Sequence, residues 1–320
     1  MKKTLKVACV GEALIEMIAQ AIPGNARLNV AGDTLNTAIY LRRALPKPHS
    51  VHYVTGLGTD QMSDQMIEFM QSEGLETSGI TRVADRLPGL YSISNDASGE
   101  RSFAYWRENS AARSLFQESG VCDFSALEDY DLIYMSGISL AILPPSIRVS
   151  LLGWMGEYRE NGGQFAFDSN YRPKLWESQT RAREAVTQAW SLCDIALPSL
   201  DDEIALFGGT ETAVLRRFSE FEGCIGSLKR GERGPIAINA HQNGGQSFPK
   251  ASRVVDTTAA GDSFSGAFIG SYLQHGSVSK AMSLGHHYAS VVIEHHGAIV
   301  PKHTMELRID AMAACSHGAN

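Results

Sequence analysis

Asp262 closes the run Val254-Val255-Asp256-Thr257-Thr258-Ala259-Ala260-Gly261-Asp262, in which small residues lead into the helical pattern of Ser263-Phe264 and beyond. Small residues at a helix start leave several backbone N–H groups unhindered and without intrahelical partners, and such groups bind anions. A carboxylate among them is out of place, because Asp262 would repel a phosphate. The conflict disappears if Asp262 faces a hydroxyl and takes its proton. The N–H groups of Ala259, Ala260, Gly261 and Asp262 then hold a phosphoryl group in transfer. That is phosphoryl-transfer chemistry without a Walker-type lysine. A plainer reading exists at the same residues, since aspartate also caps helices well. Alanine carries a steric penalty at positive φ, so the loop is expected to avoid that conformation at Ala259.

Four further stretches carry chemical potential. In Ala31-Gly32-Asp33-Thr34-Leu35-Asn36 a strand-like segment meets a helix start. Gly32 lets a ligand approach the backbone while Asp33 and Asn36 present polar groups, or Asp33 simply caps the helix. Tyr91 and Phe103-Ala104-Tyr105-Trp106-Arg107 place rings and an arginine on short strands. These either pack as ordinary sheet or close over a small polar ligand. Asp168-Ser169-Asn170-Tyr171-Arg172 follows an expected strand, where open α/β sheets bind ligands. Arg172 can hold a carboxylate or phosphate through two parallel N–H bonds, or make a surface ion pair. Lys229-Arg230-Gly231-Glu232-Arg233-Gly234 is a turn between two strands. His286, His287, His295 and His296 lack a carboxylate at ligand spacing, so packed or solvated histidines are favoured over a zinc site.

The elements that must position these residues are legible as alternation. Residues 5–10 and 51–55 predict buried strands, and 33–43 and 60–73 predict helices, the second closed by Gly74. Segments 14–30, 79–83, 90–94 and 101–106 predict short strands that form a small accessory sheet, with turns at 95–99. From residue 131 onward the pattern is regular. Strands are expected at 132–135, 164–167, 194–197, 224–229 and 235–240. Helices are expected at 146–161, 178–190, 201–207, 211–221, 262–274 and 277–295, and the tail after Pro301 predicts a short helix. Strands alternating with helices imply an α/β fold with a mostly parallel central sheet covered on both faces. The organisation expected is one domain over residues 1–320, with lid segments near 12–31 and 78–107 inserted in the α/β body.

Bulk properties narrow the class. A chain of 320 residues with 43% hydrophobic and 20% charged residues is an ordinary globular composition. The net charge of −7 argues against nucleic-acid or anionic-membrane surfaces. No apolar run approaches the ~20 residues of a membrane helix, and no signal peptide is visible. Five scattered cysteines without a pairing framework suit the cytoplasm.

The stretch at 256–264 resembles the C-terminal signature of the PfkB (ribokinase-like) carbohydrate kinases, with Ala259 where glycine is commoner. Ala31-Gly32 through Ala38 resembles that family's N-terminal signature, with Ala31 replacing its first glycine. The resemblance implies a ribokinase-like fold, ATP as phosphoryl donor with Mg2+, and Asp262 as catalytic base beside an anion hole at Ala259 to Asp262. Gly32, Asp33 and Asn36 would contact the sugar. The segments 86–91, 136–143 and 170–176 narrow the likeness to a subgroup acting on six-carbon 2-keto-3-deoxy sugar acids. Arg107 and Arg172 would then hold the substrate carboxylate, while Tyr91 and Tyr105 contact the carbon chain. On the nucleotide side the resemblance implicates Asn170, Lys229, Gly231, Gly234, Gly261 and His287. Many relatives use an Asn-x-x-Glu stretch towards the metal. Here the positions read Ser199-Leu200-Asp201-Asp202, which leaves Asp202 to act through water. The family also allows a monovalent cation near Asp256 to Thr258, and a homo-oligomer formed through the lid.

Three other functions compete. Another sugar kinase of the family, for fructose or a related keto sugar, would share Asp262 without needing two arginines. A sugar-binding protein that lost catalysis is opposed by the intact Asp262, Gly261 and Gly32. A nicotinamide-dependent dehydrogenase lacks support, because no Gly-x-Gly-x-x-Gly follows the first strand.

Overall fold

The computed structural model describes residues 3–20, 22, 24–95, 101–118, 121–240 and 246–305. The apolar run Lys6–Val10 forms β1 and is buried at every position after Lys6, as a strand covered on both faces must be. The chain then leaves for the hairpin β2 (Leu14–Ala19) and β3 (Ala26–Ala31), and returns through α1 (Asp33–Ala44) and β4 (Ser50–Leu57). Helix α2 (Gln61–Ser72) begins at Asp60, whose carboxylate accepts the N–H groups of Met62 and Ser63. Next come β5 (Ile80–Arg82), β6 (Gly89–Asn95), β7 (Arg101–Trp106) and the short ribbon β8 (Gln117–Glu118) with β9 (Val121–Cys122).

The second half alternates as its pattern requires. It runs β10 (Leu132–Ser136), α3 (Gly137–Ile142), α4 (Pro145–Glu160), β11 (Gln164–Asp168), α5 (Gln179–Ser191) and β12 (Ile195–Ala196). Helices α6 (Leu200–Phe207) and α7 (Glu211–Phe218) follow, then β13 (Ile225–Leu228), β14 (Ile236–Ile238), α8 (Ala260–His275) and α9 (Val278–Ile293). Helix α3 has no strong signal of its own. It forms because Ser136 and Ser139 cap each other's backbone N–H groups.

An eight-stranded sheet in the order β14-β13-β12-β11-β10-β1-β4-β5 is parallel except for β14, and a separate four-stranded sheet has the order β3-β2-β6-β7. This is the expected ribokinase-like architecture. One strand lies elsewhere than expected: the 79–83 segment belongs to the large sheet, not the small one. As β5 it pairs in parallel with β4 in the register Thr55↔Ile80, which satisfies the backbone groups along the outer edge of β4. The run Val254-Val255 joins no strand, and the Val255 N–H donates instead to the Ile293 carbonyl at 2.7 Å. Residues 302–305 are helical; the rest of the expected tail and residues 96–99 of the expected turn lie outside the described residues.

Period-2 alternation divides the interior into two cores. Ala8, Val10, Ile133, Met135, Phe165 and Phe167 face one side, with Leu151, Met155, Val186 and Trp190 from α4 and α5. Val7, Cys9, Leu132 and Tyr134 face the other, with Leu35, Ile39, Phe264 and Phe268 from α1 and α8. The small sheet stands apart with Leu28, Phe103, Tyr105 and Trp106 at least half-exposed. No helix among the described residues is long and apolar enough to cross a membrane.

Close packing of α1 on α8 depends on Gly266. A Cβ there would lie 2.5 Å from the Thr37 carbonyl oxygen and 2.7 Å from the Leu41 nitrogen. Gly266→Ala is therefore expected to push the two helices apart and destabilise the protein by about 1–3 kcal/mol, as overpacking does. Denaturant unfolding measures this directly, and an unchanged midpoint would contradict the packing.

Candidate active site

At the carboxyl ends of the strands, between the two sheets, lies a cavity of about 840 Å³. Its wall includes Asp168 from the end of β11, Lys229 just beyond β13, the turn Gly32-Asp33 between β3 and α1, and residues 257–262 at the start of α8. Crossover connections bring these loops to one edge, because every parallel strand starts at the same end.

Asp262 lies in the first turn of α8, whose N-cap position is Ala259. Its carboxylate makes no cap bond. It accepts a hydrogen bond from Asn36 Nδ2 at 2.9 Å. The capping explanation therefore fails and the side chain is committed to the cavity. The expectation that residue 259 avoids positive φ also fails, since Ala259 is left-handed at φ 60°, ψ 15°. A left-handed alanine costs roughly 1–2 kcal/mol. The bend starts the helix abruptly, so that Ser263 N–H makes the first helical bond, 2.9 Å to the Ala259 carbonyl; Ala260 N–H is spent on the Thr257 carbonyl at 3.2 Å, which leaves Ala259, Gly261 and Asp262 as the donors open to a ligand. Burial pushes the Asp262 carboxyl up to about 7, with repulsion from Asp33 and Asp168 added and the Asn36 hydrogen bond and Lys229 opposing.

Gly32 precedes α1 at φ 154°, and a Cβ there would lie 2.5 Å from the Glu12 carbonyl oxygen. The position is open only to glycine. Asp33 is the first residue of α1 and not its cap. Its Oδ2 accepts bonds from the Ser136 hydroxyl and from Asn170 Nδ2, the latter at 2.8 Å. Asn170, assigned by the sequence to the nucleotide side, is thus bonded to the substrate-side carboxylate. Its φ of 27° turns the chain towards α1.

Both arginines expected to bind a carboxylate line the cavity, and both already have partners. Arg107 is buried and donates to Glu12, whose carboxyl burial pushes up against the pull of Arg107 and Ser110. Arg172 is half-exposed and donates to Asp202 at 3.5 Å. Tyr91 donates to Glu16 at 2.5 Å, and its ring stacks on Tyr105 with 5.8 Å between centroids. Sequence reasoning missed Glu12 and Glu16. Their signal was a carboxylate in each of two otherwise apolar segments.

The nucleotide-side expectations separate. Gly231, Gly261 and Lys229 line the cavity, as do Asn170 and Asp202. Gly234 and His287 do not. Gly234 turns away, so that a Cβ would lie 3.0 Å from Phe248. On α9 the cavity stripe is His286, Ala289, Ser290 and Ile293, at helical spacing, and the ~100° step per residue takes His287 off it. A lysine reaches the start of α8 from another strand. Lys229 reaches α8 from the end of β13 and donates to Asp168 and, at 3.2 Å, to the Ser265 hydroxyl.

Among the described residues no group of three or more acidic, histidine or cysteine side chains could hold a metal by itself. Burial raises Asp202, with Arg172 opposing and Asp168 adding to the rise. One or two carboxylates completed by phosphate oxygens and water is the usual Mg2+ environment, and Asp202 fits it. Asp256 ties its own loop, accepting from Thr258 N at 3.0 Å and Gly297 N at 3.2 Å.

A two-sheet α/β body with a carboxylate at the start of a helix, over a polar cavity, defines a carbohydrate kinase of ribokinase-like fold. The chain belongs to the pfkB family of carbohydrate kinases, whose model matches residues 4–305. It is 41% identical to the 2-dehydro-3-deoxygluconokinase of Dickeya dadantii over 318 residues, covering 94% of this chain and 99% of that protein. Identity to the Escherichia coli K12 enzyme of the same name is 40%, covering 94% and 98%. Among solved structures, the aminoimidazole riboside kinase of Salmonella enterica, complexed with aminoimidazole riboside and an ATP analog, superposes with a TM-score of 0.78 at 21% identity, covering 95% of this chain and 99% of that one.

The raised carboxyl of Asp262 has a consequence for stability. Its folded value is about 7 against an ordinary 3.8, so the folded chain keeps a proton that the unfolded chain releases. Stability from this group is present at low pH and falls as pH rises through that window. Asp262→Asn is expected to melt above the wild type at pH 8, with the difference shrinking towards pH 4. Thermal melts across that range test it, and a variant less stable at pH 8 than at pH 4 relative to wild type would refute the raised value.

Proposed function

We propose that this protein transfers the γ-phosphoryl group of ATP to the terminal (6-) hydroxyl of 2-keto-3-deoxygluconate. The observation that carries the reading is Asp262, held by Asn36 at the start of α8 and raised to about 7, facing the cavity that Arg107 and Arg172 also line. Similarity to 2-dehydro-3-deoxygluconokinases over nearly the whole chain supports the substrate.

In this reading the sugar acid lies between Gly32, Asp33 and Asn36 and the small sheet, which acts as a lid. Tyr91 and Tyr105 pack on its carbon chain, and Arg107 and Arg172 share their donors between their present partners and the substrate carboxylate. ATP lies along the turn at Lys229–Gly231, with its base towards the apolar stripe on α9. Asp262 accepts the proton of the 6-hydroxyl as that oxygen attacks phosphorus. The N–H groups of Ala259, Gly261 and Asp262 stabilise charge on the phosphoryl group. Lid closure keeps water from taking the sugar's place. Mg2+ would supply positive charge to the polyphosphate, and Asp202 would hold it through water. A monovalent cation, where used, would lie against the Asp256–Thr258 loop.

A pair of arginines favours a sugar acid over a neutral keto sugar, which has no charge to meet them. The exposed rings of Phe103, Tyr105 and Trp106 support pairing of lids between two copies. ATP dependence and the disulfide-free Cys9, Cys122, Cys193 and Cys224 suit the cytoplasm.

ADP release with ATP and Mg2+ tests the reaction on 2-keto-3-deoxygluconate, its galactonate epimer, fructose and ribose. Turnover is expected for the keto-acids alone, and turnover of fructose or ribose instead would remove the role given to the arginines. Asp262→Asn is expected to lower kcat by about 10²–10⁴-fold with binding of the sugar acid kept, the range for loss of a general base. Arg172→Gln is expected to raise KM for the keto-acid by about tenfold or more, as loss of a charged hydrogen bond does. An unchanged KM would place the carboxylate elsewhere.

A further inference from the structure

Six carboxylates, Asp33, Asp168, Asp201, Asp202, Glu232 and Asp262, line the cavity that the proposed reaction fills with a polyphosphate. Backbone N–H groups alone would have to offset their combined field. Besides Lys229, the cations that line the cavity are each paired with a carboxylate, Arg107 with Glu12, Arg172 with Asp202, Arg230 with Glu211 and Lys250 with Glu232. Lys229 is the described cation that lies against the start of α8: a Cβ built on Gly261 would be 3.5 Å from its Nζ.

Resting on the phosphoryl-transfer reading, we propose that Lys229 is a catalytic residue, its ammonium stabilising the phosphoryl group in flight, with Asp168 and Ser265 as the positioning residues that aim it. An ammonium has three donors in tetrahedral array. Two are used, by Asp168 Oδ2 and by Ser265 Oγ at 3.2 Å. The third is left for an oxygen beside Gly261. The aim is fixed on several sides. Asp168 accepts the Ser265 hydroxyl at 2.9 Å and the Tyr134 hydroxyl at 3.5 Å. Ser265 is four residues beyond Gly261, so both project from one face of α8. Helix start and ammonium are therefore registered by the same element.

The side chain of Lys229 is only 12% exposed and that of Asp168 only 4%. A cation so placed costs desolvation unless paired, and the pairing carboxylate supplies that without filling the third direction. In the step itself, the acceptor oxygen bonds to the γ-phosphorus as the bond to the β,γ-bridging oxygen breaks. The electron pair leaves with ADP, the hydroxyl proton goes to Asp262, and Lys229 keeps its protons throughout. Its contribution is charge placed where charge spreads over the transferred group.

The test is Lys229→Met in the full chain, with kcat, KM for both substrates, ADP affinity, and affinity for ADP with aluminium fluoride and the sugar acid, a mimic of the transferred group. We expect kcat to fall about 100-fold or more, as loss of a preorganised charge does. ADP affinity should stay within threefold while the mimic loses its extra affinity. Lys229→Arg should recover part of kcat, and Ser265→Ala should lower kcat without changing ADP affinity. The double variant Lys229→Met/Asp168→Asn removes the carboxylate left unpaired and repeats the measurement if the single variant does not fold. A kcat within threefold of wild type, or a loss confined to ADP affinity, overturns the inference and leaves the reaction standing. No wild-type turnover on any acceptor overturns both.

Discussion

The hydrogen bond from Asn36 to Asp262 joins residues 226 positions apart, and the site depends on it. It brings the first turn of α1, which follows the small sheet, against the first turn of α8, which ends the phosphate loop. That approach requires two helices to pack at backbone distance, which Gly266 and Gly270 allow at the crossing. Moving either helix by the width of a methyl group would separate Asp262 from Asn36. The placement of these two side chains is thus fixed by core packing and not by the loops that precede the helices.

Around that contact the protein accumulates negative charge and then manages it locally. Asp33 is held by Ser136 and Asn170, Asp168 by Lys229 and Ser265, and Asp202 by Arg172. Asp262 has a neutral donor only, and burial first, with repulsion from Asp33 and Asp168 added, raises its carboxyl to about 7, where it can exchange a proton near neutrality. Left-handed Ala259 adds strain at the same spot, where functional sites tend to store it.

Much of this was legible in the sequence, for identifiable reasons. Buried parallel strands have uninterrupted apolar runs, so β1, β4, β10 and β11 stood out, and glycine- or aspartate-bounded helices such as α2 marked their own ends. Asp262, Gly32, Asn36 and Arg107 were singled out by small or aromatic neighbours in telling positions, and all four line the cavity. What local sequence could not carry was partnership. Nothing near residue 82 reveals that β5 pairs with β4, since an edge is defined by the strand left beside it. Nothing near Arg107 reveals Glu12, 95 residues away. The slip from His286 to His287 came from assigning a helix without its phase, and the error at Ala259 from treating a penalty of about 1–2 kcal/mol as a prohibition. Tertiary contacts outweigh such a penalty easily.

The base of the small sheet is pinned to the body of the protein. A Cβ on Gly89 would lie 2.5 Å from Leu14 Cδ2 and 2.7 Å from Glu12 Oε1, and Arg107, one residue beyond β7, is locked to Glu12. Phe103 and Tyr105, farther along β7, are half-exposed and make ring contacts chiefly within their own sheet. Substitutions near the tip can accordingly accumulate without loosening the junction with the body. Over evolutionary time such a division lets a lineage try new acceptors by altering a few rings on one strand, while inheriting its phosphoryl-transfer apparatus unchanged.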